Sequence, residues 1–144
     1  MIPLPKDPRT AAVVVYYQAL TPASLDQLAH VYANDAAFKD PFNQVQGLAA
    51  IRHIFQKMFD KLDSPRFTVL NTLTDGDQAM LVWDFTFSKK GLPSPMCIHG
   101  SSHLRFDTTG KVVWHRDYWD AAEELYSKLP VIGALMRWLQ RQLA

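Results

Sequence analysis

The amino-acid sequence predicts an α+β fold, a curved antiparallel sheet with its helices segregated to one face. Three observations carry that prediction. Up to Lys61 the apolar residues recur at helical spacing behind recognisable helix starts. From Phe67 onward they recur at every second position. Turn residues then divide the second stretch into an antiparallel meander.

Taken in order, Asp7-Pro8 is a helix start, with a carboxylate as N-cap and proline at the first helical position. That helix runs to about Leu20. Thr21-Pro22 repeats the signal, and Leu25, Leu28, Ala29 and Tyr32 follow as an i, i+3, i+4, i+7 stripe. A short strand occupies residues 36–40 and stops at Pro41. A third helix runs from about Leu48 to Lys61, with Leu48, Ile51, Ile54, Phe55 and Met58 on one side. Phe67 to Leu73 reads as a strand and Asp75-Gly76-Asp77 as a turn. Gln78 to Ser88 alternates, with Leu81, Trp83, Phe85 and Phe87 on one face. Lys89 to Pro95 is a loop, Met96 to Phe106 a strand, Asp107 to Gly110 a turn and Lys111 to Trp119 the last strand. Residues 120–144 form a helical extension broken at Pro130. A bent sheet crossed by helices makes a cone, with a pocket at its mouth.

The length of 144 residues predicts a single domain, 1–144, able to bury a core. Apolar residues make up 48%, which excludes a disordered chain. A net charge of +1 without like-charge blocks gives no reason to expect nucleic acid. The lone Cys97 allows no intrachain disulfide, which fits a reducing compartment. The start MIPLPKDPRT has prolines where a signal peptide needs an apolar run, so a cytoplasmic protein is expected.

The stretches LDQLAHVYANDAAFKDPF, GLAAIRHIF and HLRFDTTGKVVWHRDYW resemble the nuclear-transport-factor-2-like superfamily, and within it the SnoaL-like and ketosteroid-isomerase-like enzymes. The resemblance spans roughly residues 9–120. An acidic-Pro seam, a short loop and G-x-A-A-I-R opening a helix are specific for the fold and say little of the reaction. The resemblance implies a cone-shaped, cystatin-like α+β barrel. It implies cofactor-free proton transfer (isomerisation, dehydration or cyclisation) on a lipophilic carbonyl compound, or a non-catalytic ligand or lipid binder. It also implies a homodimer through the outer sheet face.

On this resemblance Asp40 matches the general-base aspartate that precedes a proline in ketosteroid isomerases, and Tyr16 matches the tyrosine that donates to the oxyanion. Read from the residues alone, Asp40 is equally a turn residue capping backbone amides. Tyr32 supports Tyr16 from helix two. Ser102 stands where those isomerases have a protonated aspartic acid. A serine is a weaker acid, which points away from steroid isomerisation. Asp117 resembles the acid/base aspartate of SnoaL-like cyclases.

His115, Asp117 and Trp119 share one face of the last strand, and the family pattern turns that face inward. A one-residue slip would send Trp114, Arg116 and Tyr118 inward instead. Trp83, Phe85, Phe87 and Phe55 should line the interior. No metal is assigned: His99 and His103 on a strand lie about 13 Å apart. No phosphate loop or nucleophile elbow appears, so no cofactor is implied. In the tail, Ile132, Leu135, Met136, Leu139 and Leu143 form one stripe with Arg137 and Arg141 opposite. It packs on the body or a dimer mate, lies on a membrane surface, or forms a lid.

Overall fold

Asp7 fixes the first helix. Its carboxylate accepts from the backbone N–H groups of Arg9 at 2.9 Å and Thr10 at 3.2 Å, and Pro8 fills the first helical position. The computed structural model of the protein describes residues 2–144, and helix α1 spans Pro8–Gln18. Arg9 bridges Asp7 and Asp77 and holds the Asp7 carboxyl down to about 2. Thr10 Oγ1 meets Thr74 Oγ1 at 2.8 Å, so the start of α1 is pinned to the turn at Gly76.

The predicted second helix is a 3₁₀ segment, Ala23–His30. At three residues per turn Leu25 and Leu28 fall on one side, and both are buried. Ala29 is exposed, and Tyr32 leaves the helical stripe to begin strand β1, Tyr32–Lys39. β1 therefore starts well before residue 36. Strand β2, Gln44–Gln46, has no sequence signal of its own and folds back on β1 across the turn at residues 40–43. Helix α2, Leu48–Lys61, buries Ile51 and Phe55. The meander follows as β3 (Asp63–Asp75), β4 (Gln78–Ser88), β5 (Met96–Phe106) and β6 (Val112–Tyr118).

The strands form one sheet in the order β2-β1-β6-β5-β4-β3, curled without closing. Neighbours are antiparallel except β1 and β6, which run parallel. The predicted antiparallel sheet thus gains one parallel contact, because the early strand adds to the edge of the last one.

Period two holds along β4 and β5, whose alternate residues from Leu81 to Phe87 and from Met96 to Phe106 face the helices. It breaks once on β6. Phe106 pairs with Val112 and Arg105 with Trp114, which leaves Val113 as an extra residue. The bulge shifts the phase, so Val112 and His115 are both buried. The tail comprises α3 (Ala121–Glu124), capped by Asp120, a 3₁₀ turn (Tyr126–Lys128) and α4 (Pro130–Leu143). Among the described residues no helix is long and apolar enough to cross a membrane.

Gly100 pairs across strands with Trp83, and the indole lies over it. A Cβ there would sit 2.5 Å from Cη2 of Trp83, closer than any real contact. Gly100→Ala is expected to push the indole aside and lower stability by about 1–3 kcal/mol, the usual range for overpacking. Denaturant unfolding measures the loss, and an unchanged midpoint would contradict the packing described.

Candidate active site

Four strands and one helix deliver a chain of polar groups into an apolar interior. On β6 the bulge turns His115 and Asp117 toward the helices; the His115 side chain is 1% exposed and that of Asp117 15%. Ser102 pairs with Asp117 across β5 and β6, and Leu81 on β4 pairs with Ser102 in turn. Tyr32 opens β1 opposite Val112. Tyr17 comes from the buried face of α1, which carries Thr10, Val13, Val14 and Tyr17.

Side-chain bonds link these groups. The Trp83 indole N–H donates to Ser102 Oγ at 2.9 Å, and the Ser102 hydroxyl donates to Asp117 Oδ1 at 2.5 Å. His115 Nε2 lies 2.6 Å from the same carboxylate oxygen. Its other nitrogen, Nδ1, lies 2.7 Å from the Tyr32 hydroxyl, which in turn contacts the Tyr17 hydroxyl. The proton count closes in one way with Asp117 ionised and His115 neutral. His115 Nε2–H donates to Asp117, Tyr32 donates to Nδ1, and Tyr17 donates to Tyr32. Among the described residues no buried side-chain polar atom lacks a partner.

Burial raises the Tyr17 and Tyr32 hydroxyls well above the ordinary tyrosine range, so both stay protonated donors at neutral pH. Tyr17, Phe67, Trp83, Ser102, Leu104 and His115 line the interior space, which is about 10 Å³. That is room for about one water molecule. Outside it lies an open groove of about 340 Å³ between the end of α1, Met58 of α2 and residues 64–67 of β3. Tyr17 and Phe67 line both spaces and meet edge to face with centroids 5.3 Å apart. They are the wall between groove and interior.

The predicted site residues separate into two groups. His115, Asp117, Ser102, Trp83 and Tyr32 come together, though Tyr32 does so from a strand rather than a helix. Trp114, Arg116 and Tyr118 take the outer face, where Trp114 packs on His103 and Arg116 on Tyr118. Tyr16 stands outside the network: its hydroxyl donates to the Ser24 carbonyl at 2.9 Å. Its neighbour Tyr17 occupies the interior instead, and α1's own apolar spacing signals it.

Asp40 lies one residue beyond the last β1–β6 pair, Lys39 with Arg116, but its carboxylate is engaged in the turn. It accepts from the backbone N–H groups of Phe42 at 2.8 Å and Asn43 at 2.7 Å, and from the Asn43 amide. No hydrogen bond among the described residues joins it to Asp117. Phe55 packs on Tyr17 and Phe38; Phe85 stacks on Phe67 and adjoins Phe87. Trp119 lies past the end of β6, half-buried against Phe42. His99 pairs with Asp84 and His103 with Gln78, both toward the outer face. No group of three candidate metal ligands occurs among the described residues.

A family model described as a SnoaL-like domain matches residues 13–115. Solved structures with the same fold include a protein with a ketosteroid-isomerase-like fold from Catenulispora acidiphila DSM 44928, in complex with trimethylamine. It is 17% identical over 85% of this chain and 94% of its own, at a TM-score of 0.71. A protein named after SnoaL-like polyketide cyclases, from Shewanella putrefaciens CN-32, is 18% identical over 86% and 97%, with a TM-score of 0.71. An epoxide hydrolase from M. tuberculosis, of the LEH-like type, is 16% identical over 82% and 86%, with a TM-score of 0.67. No curated protein sequence matches the chain.

The two buried phenols set an alkaline limit. In the unfolded chain they ionise near about 10, whereas burial keeps them protonated in the fold. The unfolded state then holds fewer protons, so this contribution is complete below about pH 10 and declines as pH rises further. Unfolding measured at stepped pH should show a smaller alkaline loss in Tyr17→Phe/Tyr32→Phe than in wild type; equal losses would contradict the assignment.

Proposed function

Because the chain belongs to the SnoaL-like domain family, we propose that it is an acid/base enzyme acting on a lipophilic carbonyl compound. The observation that carries this reading is the pairing of His115 with Asp117 at 2.6 Å beside an apolar interior. Such a carboxylate can take a proton from the carbon next to a carbonyl. Its second oxygen, Oδ2, accepts no hydrogen bond among the described residues and is the free acceptor. His115 Nε2–H and Ser102 Oγ–H brace Oδ1 and hold the carboxylate in position. Tyr17, protonated and at the end of the chain, turns its O–H from Tyr32 to the developing enolate oxygen. Return of the proton to another carbon isomerises the compound; its transfer to a β-hydroxyl, which leaves as water, dehydrates it.

Entry requires Tyr17 and Phe67 to part, since the closed interior holds little more than a water. The groove they border is the proposed route. Asp40 positions the β1–β2 turn at the strand end; Tyr16, held by Ser24, takes no part in the step. A non-catalytic binder of the same ligands is the second reading, favoured by the groove of about 340 Å³, which neither His115 nor Asp117 lines.

Deuterium exchange at the α-carbon of enone and β-hydroxy-carbonyl probes, followed by NMR in heavy water, separates the two. The expected outcome is exchange above buffer that falls about 10²–10⁴-fold in Asp117→Asn, as for loss of a general base. Asp40→Asn should stay near wild type. Probe-induced shifts at Phe67 and Trp83 without exchange would replace the enzyme by the binder.

A further inference from the structure

The structure assigns a second, separate role to the tail: we propose that α4 is an interfacial helix that docks on an anionic lipid surface. This is independent of the acid/base reading. α4 rests on α3 and the Tyr126–Lys128 turn, with Gly133 against the Ser127 carbonyl and the Arg137 guanidinium donating to that same carbonyl. Those contacts use one flank. The stripe of Ile132, Leu135, Leu139 and Leu143 is left facing out, with Leu135 52% and Leu143 86% exposed. Met136, half-buried, lies on the same stripe. A continuous apolar face of this kind marks an interaction surface rather than ordinary exposed residues.

Charge decides what covers it. From Pro130 to Ala144 the chain has Arg137 and Arg141 and no acidic residue. The acids of the tail, Asp120, Glu123 and Glu124, precede Pro130, where Asp120 caps α3 and Glu124 pairs with Lys128. A second copy of α4 would bring two more arginines and no counter-charge. An anionic headgroup layer supplies the counter-charge and the apolar medium together. Trp138, 50% exposed, flanks the stripe, and indole rings favour that boundary. With 14 residues the helix is about 21 Å long, too short to span a hydrocarbon core of about 30 Å; it lies in the surface plane. The tail leaves from the end of β6, next to Asp117, where Phe42, Trp119 and Tyr126 cluster. Docking would bring that end of the sheet close to the lipid.

Co-sedimentation of the full chain with vesicles tests this. Binding to phosphatidylcholine vesicles containing phosphatidylglycerol should exceed binding to phosphatidylcholine alone and weaken at high salt. Arg141→Gln should weaken it about fivefold, the effect of one basic residue near an anionic surface. Leu135→Asp/Leu139→Asp should abolish it while leaving the fold intact, since both side chains are exposed. Retained vesicle binding in that double variant, or none in wild type, overturns the proposal. A dimer in gel filtration that dissociates in the double variant, with no vesicle binding by wild type, gives the face to a second copy instead.

Discussion

The extra residue at Val113 is the constraint on which the interior depends. Without it, β6 would continue the phase set by Val112, and the residues facing the helices would be Trp114, Arg116 and Tyr118. With it, Leu104 faces His115 and Ser102 faces Asp117 across the β5–β6 ladder. One bulge thus turns an outer-surface strand into the carrier of two titratable groups. It also leaves Arg116 on the outer face, over Tyr118, where a guanidinium needs no buried partner.

Turning a histidine and a carboxylate inward costs solvation, and the surrounding groups offset it. His115 and Asp117 bond to each other on β6, and their further partners come from different elements: Tyr17 from α1, Tyr32 from β1, Trp83 from β4, Ser102 from β5. Truncating any member leaves a buried donor or acceptor unsatisfied, at about 1–3 kcal/mol. The network therefore ties helix and sheet together as well as presenting chemistry. Gly100 belongs to the same arrangement: only without a side chain there can the Trp83 indole reach across to Ser102.

Much of this was legible in the sequence, for physical reasons that also explain the failures. The alternation of β4 and β5 is direct, because each strand buries one face and period two follows from the pleat. The N-cap at Asp7 is local chemistry, and it appears as expected. Tyr32 was unreadable because Leu25 and Leu28 suit a 3₁₀ turn as well as an α-helix, and the chain changes conformation just after them. The choice of Tyr16 over Tyr17 came from family likeness, while the spacing of Thr10, Val13 and Val14 pointed to Tyr17. The phase of β6 was open because a bulge has no residue signature at Val113; the family pattern was the guide there, and His115 and Asp117 do turn inward. Asp40 carried two readings at once. Its carboxylate is taken up by the amides of Phe42 and Asn43, so the turn chemistry accounts for its position.

The closed interior and the exposed tail bear on each other. A space of about 10 Å³ cannot hold a lipophilic molecule, so the proposed function requires aromatic side chains that can move. Phe67 is suited to this, since it is half-buried and opens on the groove, whereas Tyr17 is buried against Phe55 and held at its hydroxyl. Parting them exposes apolar surface, which water opposes and a lipophilic ligand favours. On the proposed function, the balance between closed and open forms would then follow the ligand's own hydrophobicity. An apolar ligand is scarce in water and concentrated at lipid surfaces. A helix that holds the protein at such a surface would raise the local ligand concentration without any change at His115 or Asp117.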